Sequence, residues 1–355
     1  SRQGLQPAGA PVRIYLVDKG YSLQTLYWLT GTAAFFLSPI ADNLTTALLM
    51  GAVIIAVGAK DEEYVGLCCI NIVVAANAGG AFSPFGDVTT LMVWQKGKLH
   101  IPDFIKLFVP SLVNWLVPAS IMGLYLSTSG EPVRAGLHET VRLHPAALHV
   151  ILMFLLTVML ATGFHSFAHL PPVLGMVTGL GVLKVYGYVM TVLSGYNVHG
   201  TDLDRIPKHV QALDVFKRLA QAEWDTLLFF YGVIMSVGGL GLLGYLDKLA
   251  FFAYGTFGPP VANIALGILS ALVDNIPVMF AVLSTDPRMS DAQWLLVTLT
   301  AGCGGSILSI GSAAGVGLMG TARGLYNFKV HLKWSWAVLL GYFSSVVVHL
   351  LLNGK

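Results

Sequence analysis

The sequence predicts an all-α membrane protein that crosses the bilayer several times. Of its 355 residues, 55% are hydrophobic and only 11% are charged, whereas soluble domains carry about 25% charged residues. Apolar runs such as 146–164 and 334–351 approach the roughly 20 residues that a helix needs to cross the bilayer. The lipid bilayer is therefore the expected partner. With a net charge of +2 and no basic tract, no nucleic-acid partner is expected.

The apolar segments are of two kinds, plain spans and segments interrupted by polar residues, glycine or proline. Residues 24–128 form a first group, consisting of a hairpin at 24–58 broken at Ser38-Pro39, a broken helix at 65–94 and a plain span at 104–127. Residues 146–352 form a second group, with plain spans at 146–164, 172–192 and 225–246, a hairpin at 249–284, a broken helix at 292–320 and a plain span at 332–352. The remaining stretches are a polar N-terminal segment (1–23), a loop (129–145) and a polar stretch (193–224) that is predicted to form a loop and an amphipathic interface helix.

The interrupted segments form an internal duplication. Asp42-Asn43 recurs as Asp274-Asn275, and a serine stands four residues before each aspartate. The stretch "GGAFSPFGD" at 79–87 aligns without a gap on "GGSILSIGS" at 304–312, which places an aspartate opposite a serine. An odd number of crossings separates the copies, so they are expected to have opposite orientations. Inverted repeats with interrupted helices are typical of secondary transporters, and the interruptions mark the binding site.

The first copy lacks the three plain spans that precede the second hairpin. We therefore expect that about three spans belong in front of residue 1 and that the first repeat is truncated at its N-terminus. Lys and Arg predict the orientation: 13 of the 20 fall in the segments 1–23, 59–64, 128–145, 193–224 and 321–333. That side is expected to be cytoplasmic.

The interruptions carry side chains with oxygen atoms and neither Lys nor Arg. This set includes Ser38, Asp42, Asn43, Thr45, Asn77, Ser83, Asp87, Asp274, Asn275, Ser309 and Ser312. Carboxylate, amide and hydroxyl oxygens suit hard cations, so the set indicates a sodium or lithium site and no transition-metal site. A carboxylate buried in the membrane can hold either a proton or the cation, and Asp42 and Asp274 are the first candidates for this competition. The alternative is that each caps the following half-helix.

Several long motifs resemble the NhaD-type sodium/proton antiporters of the ion transporter superfamily. They are "FFLSPIADNLTTAL", "NIVVAANAGGAFSPFGDVTTLMVWQKG", "HLPPVLGMVTGLG", "AEWDTLLFFYGVIMSVGGLG" and "GSILSIGSAAGVGLMG". The resemblance runs from about residue 21 to the C-terminus. It implies two re-entrant hairpins and two interrupted helices that move against a scaffold of plain spans.

The resemblance also implies roles for particular residues. Ion and proton binding falls on Asp42, Asn43, Thr45, Asp274 and Asn275, with Ser83, Asp87, Ser309 and Ser312 as second candidates. Glu223 and Asp225 match acidic positions of the family and are candidates for a proton pathway. His169 is a further candidate for that pathway, as an interface histidine that could respond to pH. The alternative for these three is that they are interface residues at helix ends.

We therefore expect a secondary antiporter that exchanges sodium, or lithium, for protons, with no other cofactor. The chain lacks the Gly-x-Ser-x-Gly motif of serine hydrolases and is not expected to be an enzyme. Two alternatives remain: a carrier of dicarboxylate or arsenite, and a truncated fragment that does not transport. The expected location is a bacterial inner membrane, with a plastid envelope as the alternative. By analogy with this architecture, a homodimer is expected.

Overall fold

The computed structural model describes residues 22–58, 61–126, 147–168, 170–193 and 224–354. Within these residues every regular element is a helix, as the sequence predicts. The chain divides into two compact units, and the smaller one comprises Arg142–Phe229. The predicted polar segment 1–23, apart from its last two residues, the loop 129–145 and nearly all of the stretch 193–224 lie outside the described residues.

The helices follow one another in this order: α1 Leu23–Ala41, α2 Asn43–Gly58, α3 Glu62–Gly80, α4 Val88–Gln95, α5 Ile101–Phe104, α6 Phe108–Leu126, α7 Ala147–Ala168, α8 Pro172–Leu193, α9 Trp224–Leu242, α10 Tyr245–Leu269, α11 Asn275–Thr285, α12 Asp291–Gly304, α13 Ala313–Thr321 and α14 Phe328–Asn353. A short 3₁₀ turn, Ile105–Leu107, joins α5 to α6. In the smaller unit α7 packs against α8.

Six helices of the described residues are long and apolar enough to cross a membrane. They are Glu62–Gly80, Ile101–Leu126, Leu148–Ala168, Pro172–Val189, Phe251–Leu269 and Phe328–Asn353. Together with the helical content, these spans fit a polytopic membrane protein.

Helix α3 forms the centre of the larger unit. Every residue from Tyr64 to Gly80 is buried, and α1, α2, α6 and α13 pack around it. Its first turn is fixed by Asp61, whose carboxylate accepts a hydrogen bond from the Tyr64 amide at 3.0 Å, as expected of an N-cap residue. Helix α12 is similarly buried from Trp294 to Gly304 and packs against α10. Each of these two central helices ends at an interruption in the interior.

The first hairpin breaks later than the sequence predicts. The predicted break lies at Ser38-Pro39, but α1 continues through Pro39 and ends at Ala41. Proline removes one donor and disfavours a helix interior, yet here it lies in the last turn, where the helix is about to end. The chain turns instead at Asp42, whose φ of 59° lies outside the helical region. In the second hairpin α10 is also kinked, at Gly258 (φ 74°) before Pro259 and Pro260.

The two copies make matching local contacts. Ser38 Oγ donates to the Ala76 carbonyl at 2.6 Å, and Ser270 Oγ donates to the Ala301 carbonyl at 3.0 Å. These serines are paired in the sequence repeat, and the two carbonyls also correspond in the gap-free alignment of the broken helices. The same hairpin-to-helix contact therefore occurs in both copies.

Close glycine contacts are also repeated. A Cβ on Gly80 would collide with the backbone of Gly86, and a Cβ on Gly305 would collide with that of Gly311. The start and end of each interruption can approach this closely only because Gly80 and Gly305 have no side chain. Each interruption is therefore drawn into a compact loop beside its central helix.

Candidate ion-binding site

Asp87 lies at the end of the first interruption and begins α4. Its side chain is only 4% exposed, and it is the only carboxylate among the described residues that is classed as buried. Oδ1 accepts a hydrogen bond from the Thr89 amide at 3.1 Å. The Thr90 hydroxyl donates to the Asp87 carbonyl at 2.7 Å. These contacts form a capping arrangement that fixes the carboxylate at the helix N-terminus.

The other oxygen of Asp87 receives one amide from each hairpin. Asn43 Nδ2, at the tip of the first hairpin, donates to Asp87 Oδ2 at 3.1 Å. Asn275 Nδ2, at the tip of the second hairpin, donates to the same oxygen at 2.9 Å. Both asparagines are buried. Residues that are far apart in the sequence thus meet at a single carboxylate oxygen.

Asn77 extends this cluster to the second interruption. Its Oδ1 accepts from Asn43 Nδ2 at 2.9 Å. Its Nδ2 donates to Ser306 Oγ at 2.7 Å and to Ser312 Oγ at 2.9 Å. Ser312 is the counterpart of Asp87 in the sequence repeat and likewise caps its helix, accepting from the Gly315 amide at 3.1 Å.

Two buried hydroxyl groups close to the cluster have no hydrogen-bond partner, Thr46 Oγ1 and Thr89 Oγ1. Thr46 follows Asn43 by about one helical turn, and Thr89 is two residues after Asp87. A Cβ on Gly302 would lie 3.8 Å from Asp87 Oδ2 and 3.9 Å from Thr89 Oγ1. Because Gly302 has no side chain, Asp87 Oδ2 and Thr89 Oγ1 face a common space. Buried polar groups rarely lack partners, so a ligand with affinity for oxygen would satisfy them.

The two aspartates that the sequence ranks first are helix-capping residues at the edge of this cluster. Asp42 accepts from the Thr45 amide at 2.8 Å and from the Thr45 hydroxyl at 2.7 Å. Asp274 Oδ1 accepts from the Ile276 amide at 2.9 Å. Both aspartates are half-buried, whereas Thr45 is exposed.

Three secondary candidates bond away from Asp87 and hold the interruptions in place. Ser38 donates to α3 as described above. Ser83 Oγ donates to the Pro39 carbonyl at 2.7 Å. Ser309 Oγ is bonded to the Tyr326 hydroxyl at 2.7 Å. Glu223 and His169 lie outside the described residues, as does the side chain of Asp225.

Positive charge lies only at the surface of the described region. No lysine or arginine there is buried, and in each of three lysine ion pairs at least one partner is largely exposed. These pairs are Lys98–Asp286 at 2.6 Å, Lys106–Asp103 at 2.8 Å and Lys333–Glu63 at 3.2 Å. The charge of the buried cluster is therefore that of Asp87, without a compensating side-chain cation.

The sequence reasoning did not find Tyr326 and His331, which contact the second interruption. They stand outside the duplicated motifs, and their spacing matches no short pattern of a binding site. Only the packing of α14 and of the residues just before it brings them to the interruption, so no local signal could have revealed them.

A buried acidic cluster of oxygen atoms at the meeting point of two interrupted helices is the arrangement of an ion-coupled membrane transporter.

The citrate transporter family matches residues 10–302 of the chain. The Na⁺/H⁺ antiporter NhaD of Alkalimonas amylolytica is 53% identical over 352 residues, covering 96% of this chain and 72% of that protein. NhaD of Vibrio cholerae is 52% identical, covering 96% and 73%.

A plant protein, sodium/proton antiporter 1 of Arabidopsis thaliana, is 34% identical, covering 92% of this chain and 55% of its own length. The chain belongs to the citrate transporter family and, within it, to the NhaD group of Na⁺/H⁺ antiporters. The resemblance seen in the sequence motifs is thereby confirmed, and the relatives named above are transporters and not enzymes.

Proposed function

We propose that the protein exchanges sodium for protons across a membrane at a site centred on Asp87. The observation that carries this proposal is the buried carboxylate of Asp87, on which Asn43 and Asn275 from the two hairpins converge. The names of the NhaD relatives support the same pair of ions. Lithium, which prefers the same oxygen ligands, is proposed as a second substrate.

A sodium ion can be accommodated by small rearrangements of this cluster. The side-chain amide of asparagine has an oxygen acceptor and a nitrogen donor of similar size. Rotating the Asn275 amide would present Oδ1 in place of Nδ2 to an ion beside Asp87 Oδ2. The unpartnered hydroxyl of Thr89 supplies a further oxygen at the same space.

Competition between the two ions follows from the burial of the carboxylate. Removal from water disfavours a bare carboxylate, whereas either a proton or a bound cation neutralises it. Asp87 therefore holds one or the other, and exchange between them couples the two fluxes. We propose that Asp42 and Asp274 take part in the same competition from the edge of the site, where their charges attract the cation.

We further propose that access alternates between the two sides of the membrane. The matching contacts of the two copies support a repeat, and inverted copies with interrupted helices allow such a rocking movement around a fixed site. We place the protein in a bacterial inner membrane as a homodimer, because the NhaD relatives named above are bacterial and this architecture is usually oligomeric.

The direct test uses everted membrane vesicles that carry a pH gradient. Adding sodium should dissipate the gradient in vesicles with the wild-type protein. Asp87→Asn should abolish this response, because the amide cannot exchange a proton for a cation. The matched control is Asp286→Asn, an aspartate at a helix end that is exposed and paired with Lys98. Activity of Asp87→Asn equal to the wild type would refute the site, and an inactive wild type would refute the function.

Anion transport is the second candidate, because the matching family is described as citrate transporters. A carboxylate substrate would favour a fixed positive charge, and the described cluster has a negative one. Proteoliposomes loaded with buffer alone distinguish the candidates. Uptake of radiolabelled citrate without sodium-for-proton exchange would favour the anion carrier, whereas rescue of a salt-sensitive strain would exclude an inactive fragment.

A further inference from the structure

A chain of three buried side chains connects α14 to the second interruption. Ser309 Oγ lies 2.7 Å from the Tyr326 hydroxyl, and that hydroxyl lies 2.8 Å from His331 Nδ1. The other ring nitrogen, Nε2, lies 2.8 Å from the carbonyl oxygen of Ser306. All three side chains are at most 1% exposed. The chain therefore begins and ends on the loop between α12 and α13.

The donors and acceptors of this chain can be assigned from chemistry alone. A carbonyl oxygen only accepts, so His331 Nε2 carries a hydrogen and donates to Ser306. In a neutral imidazole Nδ1 is then an acceptor, and the Tyr326 hydroxyl donates to it. Ser309 in turn donates to the Tyr326 oxygen. Every group in the chain is satisfied in this arrangement, with no free choice of orientation.

The two ends of the chain act on residues that belong to the ion site. Ser306, held through its carbonyl, accepts a hydrogen bond from Asn77 through its hydroxyl at 2.7 Å. Ser309, held through its hydroxyl, has a φ of 66°, a conformation that is unfavourable for a residue other than glycine. A side-chain bond at this position stabilises the strained turn just before Ser312.

The first copy lacks this device. In the gap-free alignment of 79–87 on 304–312, Pro84 stands opposite Ser309 and has no hydroxyl group with which to begin such a chain. The first interruption has instead a proline with a fixed φ and the bond from Ser83 to Pro39. The second interruption thus depends on side chains from outside the duplicated motif.

We propose that Tyr326 and His331 are positioning residues that set the geometry of the second half of the ion site. They do not touch the ion. They hold Ser306 and Ser309, and through these the Asn77 and Ser312 side chains, at the positions needed to bind sodium. The inference rests on the proposed function, since it assigns these residues to the same site.

The test measures equilibrium binding of radioactive sodium to the purified full chain, without transport. Tyr326→Phe removes one hydroxyl and keeps the ring. It should weaken sodium affinity roughly threefold to tenfold, the range expected for one or two lost hydrogen bonds. The matched control is Tyr27→Phe, another fully buried tyrosine, whose hydroxyl donates to the Ala119 carbonyl at 2.9 Å on a helix away from the interruption. This control should lose comparable thermal stability without a change in sodium affinity.

A second variant guards against misfolding of the first. His331→Gln keeps one donor and one acceptor and should recover part of the affinity that His331→Ala loses, whereas a role in packing alone would give no such recovery. If wild-type protein binds sodium and both Tyr326→Phe and His331→Ala bind it equally well, the positioning inference is refuted and the proposed function stands. If the wild type binds no sodium, the proposed function fails, and the inference fails with it.

Discussion

Asp42 combines two features in one residue, a strained backbone and a carboxylate close to the ion site. Its φ of 59° and ψ of 163° are unfavourable for any residue with a Cβ. The carboxylate compensates by bonding both the amide and the hydroxyl of Thr45. Strain of this kind concentrates at functional positions, and here it places the Asn43 side chain directly after the turn.

Asp42→Asn separates the cap from the charge. Asparagine has the shape of aspartate, so the strain of the turn is unchanged, and its Oδ1 can still accept the Thr45 amide. The free energy of unfolding should therefore change by about 0.5 kcal/mol or less. Loss of a negative charge near the site should weaken the apparent sodium affinity roughly threefold to tenfold without abolishing exchange. Thermal unfolding and sodium titration of vesicle exchange measure the two effects.

Asp42→Ala is the comparison variant, because it removes both the cap and the charge. Its free energy of unfolding should fall by about 1 kcal/mol. Sodium affinity equal to the wild type in Asp42→Asn would reduce this residue to a helix cap.

Among single residues, the sequence named several side chains that the structure brings together, but it ranked Asp42 and Asp274 above Asp87. The duplication favoured Asp42 and Asp274, since both copies carry them. Asp87 faces a serine in the other copy, so the repeat gave it no weight. Its central place arises because Asn43 and Asn275 converge on it, and contacts between residues so distant in the chain are set by packing.

At the level of helices and loops, the glycine contacts at the two interruptions determine the geometry of the site. The Gly311 carbonyl lies against Gly305 and also accepts a hydrogen bond from the backbone N–H of Asn275 at 3.2 Å. A displacement of this carbonyl therefore moves the tip of the second hairpin. Gly311, which approaches Gly305 closely, is thus linked by one hydrogen bond to Asn275, whose side chain contacts Asp87.

Gly305→Ala should destabilise the protein by roughly 1–3 kcal/mol, the usual cost of overpacking, and should also weaken sodium affinity. Gly239→Ala is the matched control. It lies in α9 with no atom near the added Cβ, and alanine there should stabilise the helix by up to about 1 kcal/mol. Thermal unfolding of both variants in detergent measures the difference. A Gly305→Ala protein as stable as the control would show that the loop can yield without cost.

The elements were largely predictable from the sequence, and their ends were less so. Plain spans follow from length and apolar composition alone, and α8 and α14 begin and end within a few residues of the predicted segments. The exact turn of the first hairpin was not predictable, because Pro39 is a strong local signal for a break and yet fits the last turn of α1. The preference of Asp42 for capping α2 decided the position.

For the whole molecule, the central question is how the two copies cooperate. Asn43 and Asn275 share one acceptor, Asp87 Oδ2. Removing either amide leaves the other free to move closer and compensate in part. The two hairpins should therefore be coupled energetically through this single atom.

A double-mutant cycle measures this coupling. Asn43→Ala and Asn275→Ala should each weaken sodium affinity by about 1.5–3 kcal/mol, as expected for hydrogen bonds to a charged group. The double variant should differ from the sum of these losses by at least about 0.5 kcal/mol. The control cycle pairs Asn43→Ala with Asn353→Ala, at the surface, and should be additive within about 0.5 kcal/mol. Additivity in both cycles would mean that the hairpins act independently.

The repeat in the sequence predicted two copies and one difference between them, Asp87 opposite Ser312. Matching serine and glycine contacts occur in both copies. The other difference, the hydrogen-bonded chain through His331, was not predictable, because it depends on residues outside the duplicated motif.

The pairing of Asp87 with Ser312 has a consequence for the numbers of ions moved. Two equal halves would bring two acids to the middle and could load two cations together. Here one half contributes the acid and the other only a hydroxyl group. Under the exchange proposed above, the middle of the protein gives up one hydrogen ion for each cation that it accepts, and any larger ratio would come from acids nearer the rim.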